Sequence, residues 1–399
     1  MLAMSKATEI AQNVWLGPSP ITDDMLQMPN DDGSEQTSIK KYDLLIETCD
    51  SANLPDRQAY SLLNRLLTSD RLSTTSVPQL EFPASGSILP PTWSQSEVDG
   101  LMTACTWIYK QANGLMDQSE TNAAVEATRG RKDSRITVTP PRKDNDGDSS
   151  MTTAEELDAM SPTAPQQGFS SGKNILIHCT DGYTETTLLA LAYYMYSNGV
   201  PLSQAYIELH KDHGRDFFAY PTDVALLAAI QPRILQASPA CLNCSLTTLN
   251  PPVPAWLHKI DGSLPSRITD YMYLGNLGHA NNPGLLKELG IGQVLSVGES
   301  VNWTDEERKK FQGILADGET VQERLMFIDR VQDNGVDPLT DEIPRCLEFI
   351  GEDLIAGDLR KSGTNSYYRE RTQSRHSYTC ALSSRCVSIS DHLHRTSHE

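Results

Sequence analysis

Apolar and polar positions along the chain repeat as two runs of similar order. AQNVWLGPSP from Ala11 and TDYMYLGNLG from Thr269 each read as a short strand stopped by a glycine. A second strand follows in each run, YDLLIETCD from Tyr42 and IGQVLSVGE from Ile291. Each then has a further apolar stub, LEFPASGSILP from Leu80 and RLMFIDRVQDN from Arg324. A helix comes next, EVDGLMTACTWIYKQA from Glu97 and LTDEIPRCLEFIGEDLI from Leu339. In the first of these, Val98, Leu101, Met102, Cys105, Ile108 and Tyr109 recur at helical spacing. The pattern predicts an internal duplication on the scale of a whole domain.

Two stretches break the pattern. Asn113 to Gly172 is nearly free of aromatics and dominated by Ser, Thr, Asp, Pro and Gly. Such a segment buries too little apolar surface to offset its ordering entropy, so residues 113–172 are expected to be a disordered insertion. A plain surface loop is the alternative. It carries Thr139-Pro140 and Ser161-Pro162, candidate proline-directed phosphorylation sites. The second stretch, Gln236 to Ser266, holds Pro239, Pro251, Pro252, Pro254 and Pro265, which keep a chain extended. Its Cys241-Leu-Asn-Cys244 lacks the second pair that structural zinc needs, and reads as two bystander thiols. The domains expected are 7–112 with 173–236, a Pro-rich linker at 237–264, and 265–356, followed by a tail at 357–399.

Composition narrows the function classes. Lys and Arg number 33 against 52 Asp and Glu, a net charge of −19 over 399 residues. That acid excess argues against a general nucleic-acid binder. No run of about 18 apolar residues predicts a membrane span, and MLAMSKATEIAQ has no signal-peptide core. Eight scattered cysteines point to a reducing compartment, the cytoplasm or nucleus. A hydrophobic fraction of 38% leaves room for non-globular chain.

The chemistry concentrates at Lys173 to Val200. Ile175 to Ile177 form a short strand that ends at Cys179. Thr180-Asp181-Gly182-Tyr183-Thr184 make a turn, and Thr186 to Tyr196 an apolar, buried helix. A strand, a cysteine, a glycine-bearing turn and a helix N-terminus aim backbone N–H groups at one point, an oxyanion site that would also depress the Cys179 pKa. This segment resembles the signature loop of the protein-tyrosine phosphatase superfamily, which reads His-Cys, five residues, Arg. His178 and Cys179 match, and Gly182 matches the turn glycine. Thr180 to Thr184 would then cradle phosphate. Glu185 stands where the family has Arg, so an anion replaces the bidentate clamp and opposes both phosphate binding and thiolate formation. The resemblance implies a degenerate phosphatase domain without turnover. A buried structural cysteine in an unrelated α/β turn is the plainer alternative. GVPLSQAYIELHKDHGRDFFAYPTDVALLAAI resembles the two helices that follow the loop in that family.

PSRITDYMYLGNLGHANNPGLLKELGIGQVLSVGES resembles the opening of a dual-specificity phosphatase domain, with a strand at Met272–Leu274, a helix at Pro283–Leu289 and a strand at Gln293–Val297. FIDRVQDNGVDPL resembles its general-acid loop. Asp333 then matches the aspartate that protonates the leaving oxygen, a role typically worth about 10²–10⁴-fold. An ordinary Asp-Asn-Gly turn is the alternative. The loop itself does not follow. Beyond Gly357 periodicity is lost, the tail is basic and His-rich (His392, His394, His398), and Cys380 precedes Arg385 with only four residues between them and no glycine. Codons chosen for Ala381 to Ser390 and read one base later can spell His-Cys-Arg-Val-Gly-Val-Ser-Arg-Ser, a complete loop. That compatibility suggests a frame-shifted or mis-spliced phosphatase domain. It leads to the expectation that residues 360–399 are poorly ordered, that the second half lacks its central strand, and that Leu295, Val297, Phe327 and Ile328 are left uncovered.

The sequence thus predicts an α/β protein with two phosphatase-like domains, each a central mostly parallel sheet flanked by helices, the second incomplete. It is similar to fungal dual-specificity phosphatases implicated in cell-cycle control. The resemblance implies cysteine-thiolate attack through phosphocysteine, without metal or other cofactor, on phosphoprotein substrates. Two functions remain open: an enzyme whose catalytic loop is missing from this chain, or a pseudophosphatase that holds phosphoproteins as a scaffold.

Overall fold

The computed structural model describes residues 6–20, 26–27, 39–40, 42–68, 77–87, 94–115, 171–242, 251–329, 331, 339–351 and 377–382. The first half runs β1 (Thr8–Ala11), β2 (Val14–Pro18), β3 (Leu26–Gln27), β4 (Ile39–Lys40), β5 (Leu44–Cys49), α1 (Arg57–Thr68), β6 (Gln79–Pro83), α2 (Gln95–Ala112), β7 (Ile175–Cys179), α3 (Thr187–Asn198), α4 (Leu202–Lys211) and α5 (Pro221–Ala237). β3 and β4 pair with each other as a two-stranded sheet. The remaining strands form a sheet in the order β1-β2-β7-β5-β6, parallel except for the β1/β2 hairpin.

Strand alternation explains the layers. Val14, Leu16, Leu44, Ile46, Ile175 and Ile177 join the main apolar core. Leu45 and Leu176 lie between them in sequence and join a separate cluster with Tyr42, against which Trp15 and Val77 pack. Period-two side chains therefore bury both faces of the central strands, as a parallel sheet requires. α3 is buried at every position from Thr187 to Tyr196, so it lies within the core. It ends where Gly199, at φ 67°, adopts the left-handed conformation and its N–H donates to the Met195 carbonyl. α2 starts with a capping box between Ser94 and Glu97.

The second half contains β8 (Ser266–Thr269), β9 (Met272–Gly275), α6 (Leu277–Ala280), α7 (Pro283–Leu289), β10 (Ile291–Val297), α8 (Asp305–Gln312), α9 (Val321–Arg324), β11 (Leu325–Ile328) and β12 (Ser377–Leu382). Its sheet order is β8-β9-β12-β10-β11, again parallel apart from one edge hairpin. Strand for strand, order and sense repeat those of the first sheet. Even the register irregularity recurs, between Glu9 and Ala11 in one hairpin and between Arg267 and Thr269 in the other.

The expectation of a missing central strand in the second half is corrected here. Ser377–Leu382 forms β12, which lies between β9 and β10 and pairs with both in parallel. SYTCAL contains aromatic and β-branched residues and no charge, glycine or proline, so it suits a strand with neighbours on both sides. The rest of residues 357–399, including His392, His394 and His398, lies outside the described residues. Leu295, Val297 and Ile328 are buried with Cys346 and Phe349, the latter two from a helical run at 343–351. Of the four residues expected to be uncovered, Phe327 alone stays exposed, at 37%.

The proline-rich stretch between the halves packs against the core. Trp256, Leu257 and Leu264 are buried in the main core, and the Gly262 carbonyl accepts from the Ala219 N–H at 2.8 Å. That core runs through both halves, because Tyr206 and Phe217 belong to the same cluster as Tyr273 and Leu286. Among the described residues no helix is long and apolar enough to cross a membrane.

If β12 is the central strand, Thr379→Pro should disrupt the second sheet selectively. Proline removes a ladder donor and cannot be accommodated between two strands. Hydrogen exchange should show β9 and β10 amides losing protection by about tenfold or more, while β2, β5 and β7 stay protected. Unchanged exchange in β9 and β10 would contradict the placement.

Candidate functional site

β7 carries its last residue, Cys179, to the carboxyl end of the first sheet, where β2 ends opposite it at Pro18. Carboxyl ends of parallel strands are where open α/β sheets place their ligands. The turn 180–186 then leads into α3. Gly182 makes this path possible. At φ 69° it is left-handed, and a Cβ there would lie 2.3 Å from the Gly17 backbone carbon. Below the turn, the fully buried Arg215 donates from Nη2 to the Gly182 carbonyl at 2.8 Å and from Nη1 to the Lys6 carbonyl at 2.9 Å.

From the far side the turn is held by the segment after β6. Ser85 donates to the Glu185 carbonyl through its N–H at 2.9 Å and its Oγ at 3.1 Å. The same Oγ accepts from the Leu188 N–H at 2.8 Å and so caps the first turn of α3, whose own N-cap residue Thr186 makes no side-chain cap. Gly86 next to it donates to both carboxylate oxygens of Asp223, at 2.9 and 3.2 Å. Burial pushes the Asp223 carboxyl up to about 6, against the opposing Gly86 hydrogen bond.

The structure brings Cys179, Asp181 and Glu185 together: the thiol sulfur and one oxygen of each carboxylate all lie within 4.8 Å of one another. Cys179 is 3% exposed. The Cys179 thiol faces Asp181 Oδ1 at 3.5 Å, and the Gly182 N–H donates to Sγ at 3.1 Å. Burial, and then the hydrogen bond and negative charge of Glu185, push the Cys179 thiol up to about 11, with the Asp181 and Gly182 amides opposing. At pH 7 that leaves roughly one thiolate in ten thousand. The expectation of a depressed Cys179 pKa is therefore corrected: two amides are too little to overcome desolvation plus a carboxylate.

Several amides of the turn and of the start of α3 have partners within this region. Gly182 N–H serves Cys179, Tyr183 N–H donates to Asp181 Oδ1 at 2.9 Å, Thr187 N–H to the Thr184 carbonyl, and Leu188 N–H to Ser85. Burial lowers the pKa of His178, with Glu47 opposing. Its Nδ1 lies 3.2 Å from Ser19 Oγ, which also donates to the Cys179 carbonyl.

Asp333 lies outside the described residues, as do Thr139, Ser161, Cys244 and Arg385. Sequence reasoning missed Ser85, Arg215 and Asp223 as supports of the loop. Each acts across a long sequence separation, and no local spacing announces such a contact. The clues that were there are thin: an arginine between glycine and aspartate in HGRDFF, and an aspartate in the first turn of an otherwise apolar helix.

The second sheet repeats the geometry of the first up to this point. Gly17 pairs with His178 in one half, and Gly275 pairs with Ala381 in the other. Ala381 and Leu382 thus occupy the register positions of His178 and Cys179.

No protein-family model matches the chain. It is similar to the dual specificity protein phosphatase PPS1 of Saccharomyces cerevisiae, 29% identical over 246 residues, covering 45% of this chain and 30% of that protein. The match thus spans under one third of that relative's length. This likeness and the mixed α/β sheets with flanking helices agree with a phosphatase fold.

The burial of Asp223 predicts a pH signature. The raised carboxyl holds its proton more tightly in the folded state, so its contribution is fully present below the unfolded value near 4 and is lost as pH rises through about 6. Melting temperatures from pH 4 to 7.5 should show wild type losing about 2–3 kcal/mol relative to Asp223→Asn across that window. A difference that does not vary with pH would contradict the burial of this carboxyl.

Proposed function

We propose that this chain is a catalytically silent relative of dual-specificity protein phosphatases, in which the Cys179 site binds or positions partner proteins without hydrolysing phosphate. One observation carries the reading. The thiol that would attack phosphorus is held neutral beside Glu185, at the position where the resemblance calls for a guanidinium. A phosphate dianion would meet two carboxylates, Asp181 and Glu185, and the Gly182 and Tyr183 amides are engaged within the loop. Neither nucleophile activation nor charge neutralisation is then supplied. Arg215 does not replace the clamp, because its guanidinium is committed to the Gly182 and Lys6 carbonyls beneath the loop.

A second reading, the working enzyme, is favoured by the register of β12. Ala381 and Leu382 stand where the first half has His178 and Cys179. The one-base shift in reading frame puts His and Cys at those same two positions. Register and codon compatibility are independent of each other, and both support an active phosphatase domain as the origin of this tail. Asp333 would serve there as the general acid.

The two readings separate in one assay. The chain as it stands should show no turnover of an aryl phosphate above background. Glu185→Arg should tighten vanadate binding by about tenfold or more through a restored bidentate contact. Replacing residues 381–389 to match the shifted frame, including Ala381→His, Leu382→Cys and Ser388→Arg, should create turnover that depends on Leu382→Cys. Robust activity in the unaltered chain that disappears with Cys179→Ser would overturn the silent-domain reading.

A further inference from the structure

A groove of about 1000 Å³ lies between α1, α2 and the end of α5, and no residue of the Cys179 loop lines it. Its floor is apolar and includes Tyr60, Met102 and Trp107, each buried to below 9% exposure. Arg57, Arg65, Lys110 and Arg233 stand around it with a single carboxylate, Asp99, which pairs with Arg233. Among the described residues neither Arg57 nor Arg65 makes an ion pair, and both are exposed. Concentrated positive charge over an apolar floor stands out in a chain of net charge −19.

The path of the chain says what covers it. Leu115, the last residue before the stretch 116–170, is 40% exposed and itself lines the groove. The chain returns beside it: the Lys173 N–H donates to the carbonyl of Gln111, another lining residue, at 3.0 Å. Both ends of the excursion are thus fixed at the same lip. Within that excursion, Met151 to Met160 reads MTTAEELDAM. It carries three carboxylates, Glu155, Glu156 and Asp158, and no cation. Thr152 and Glu155 have capping-box spacing, and Leu157 and Met160, three apart, share one helical face.

We propose that Met151–Met160 docks in this groove of its own chain, with Leu157 and Met160 on the apolar floor and the carboxylates toward Arg57, Arg65 and Lys110. Helix-in-groove recognition uses apolar anchors at this spacing. The tether, about forty residues from Leu115, holds the segment at roughly millimolar effective concentration, so modest intrinsic affinity suffices. Ser161-Pro162 follows directly. A phosphate on Ser161 would add negative charge facing the same cations and strengthen the contact. The insertion is then a ligand of the α1–α2 face, and the docking does not depend on what happens at Cys179.

Zero-length carbodiimide cross-linking of the full chain, read by peptide mass spectrometry, tests this. Lys110 should be joined to Glu155, Glu156 or Asp158 within monomeric protein. The yield should fall several-fold in Leu157→Asp/Met160→Asp, which leaves every charge of the groove in place, and also in Arg57→Glu/Arg65→Glu, whose sites are on the surface. Absence of the cross-link would overturn the proposal. So would persistence in the Leu157→Asp/Met160→Asp variant, which would mean tethered collision without docking. Cross-links confined to covalent dimers would overturn it in favour of a second copy as the occupant.

Discussion

The thiol of Cys179 meets two carboxylates at the end of a strand that is buried on both faces. Ile175 and Ile177 pack into one core and Leu176 into another, so the end of β7 cannot shift to relieve the encounter. The turn after it is equally constrained: Gly182 lies against Gly17, Arg215 holds its carbonyl from beneath, and Ser85 ties Glu185 and α3 from the side. A rigid frame of this kind would suit a nucleophile. Here it holds the sulfur buried beside Glu185, and burial first, then that carboxylate, push the thiol pKa up.

The same frame is built twice. Two sheets share strand order, strand sense and the irregularity in the edge hairpin, and their central strands end in different residues. In the first, the strand ends in His178-Cys179; in the second, in Ala381-Leu382. A parallel sheet with a gap between β9 and β10 would leave two rows of unpaired backbone groups. That cost draws SYTCAL into the sheet even though the chain around it has lost the periodicity of a domain.

Much of this was legible in the sequence. The repeated order of strand, strand, stub and helix anticipated the duplicated topology, because period-two and helical patterns report burial directly. The Cys179 turn and the Glu185 substitution were visible as local spacing. Three features were not. The place of β12 depends on a vacancy created by strands a hundred residues away, which no local pattern carries. The sign of the Cys179 shift depends on the balance of two amides against burial of the thiol and the half-buried Glu185 carboxylate, and so on distances of a few ångströms. The packing of Trp256, Leu257 and Leu264 into the core was masked by the prolines around them, which mark an extended path but not an exposed one.

The account rests on Cys179 being a neutral thiol. Thiolate absorbance of the full chain, taken as the difference between wild type and Cys179→Ser across a pH titration, measures that directly. The account predicts no ionisation of Cys179 below about pH 9, with the midpoint near the value of about 11 set by burial and Glu185, and a lower midpoint in Glu185→Gln. A midpoint at or below neutrality in the wild-type chain would contradict it, and would mean that the loop stabilises the thiolate as an active phosphatase does.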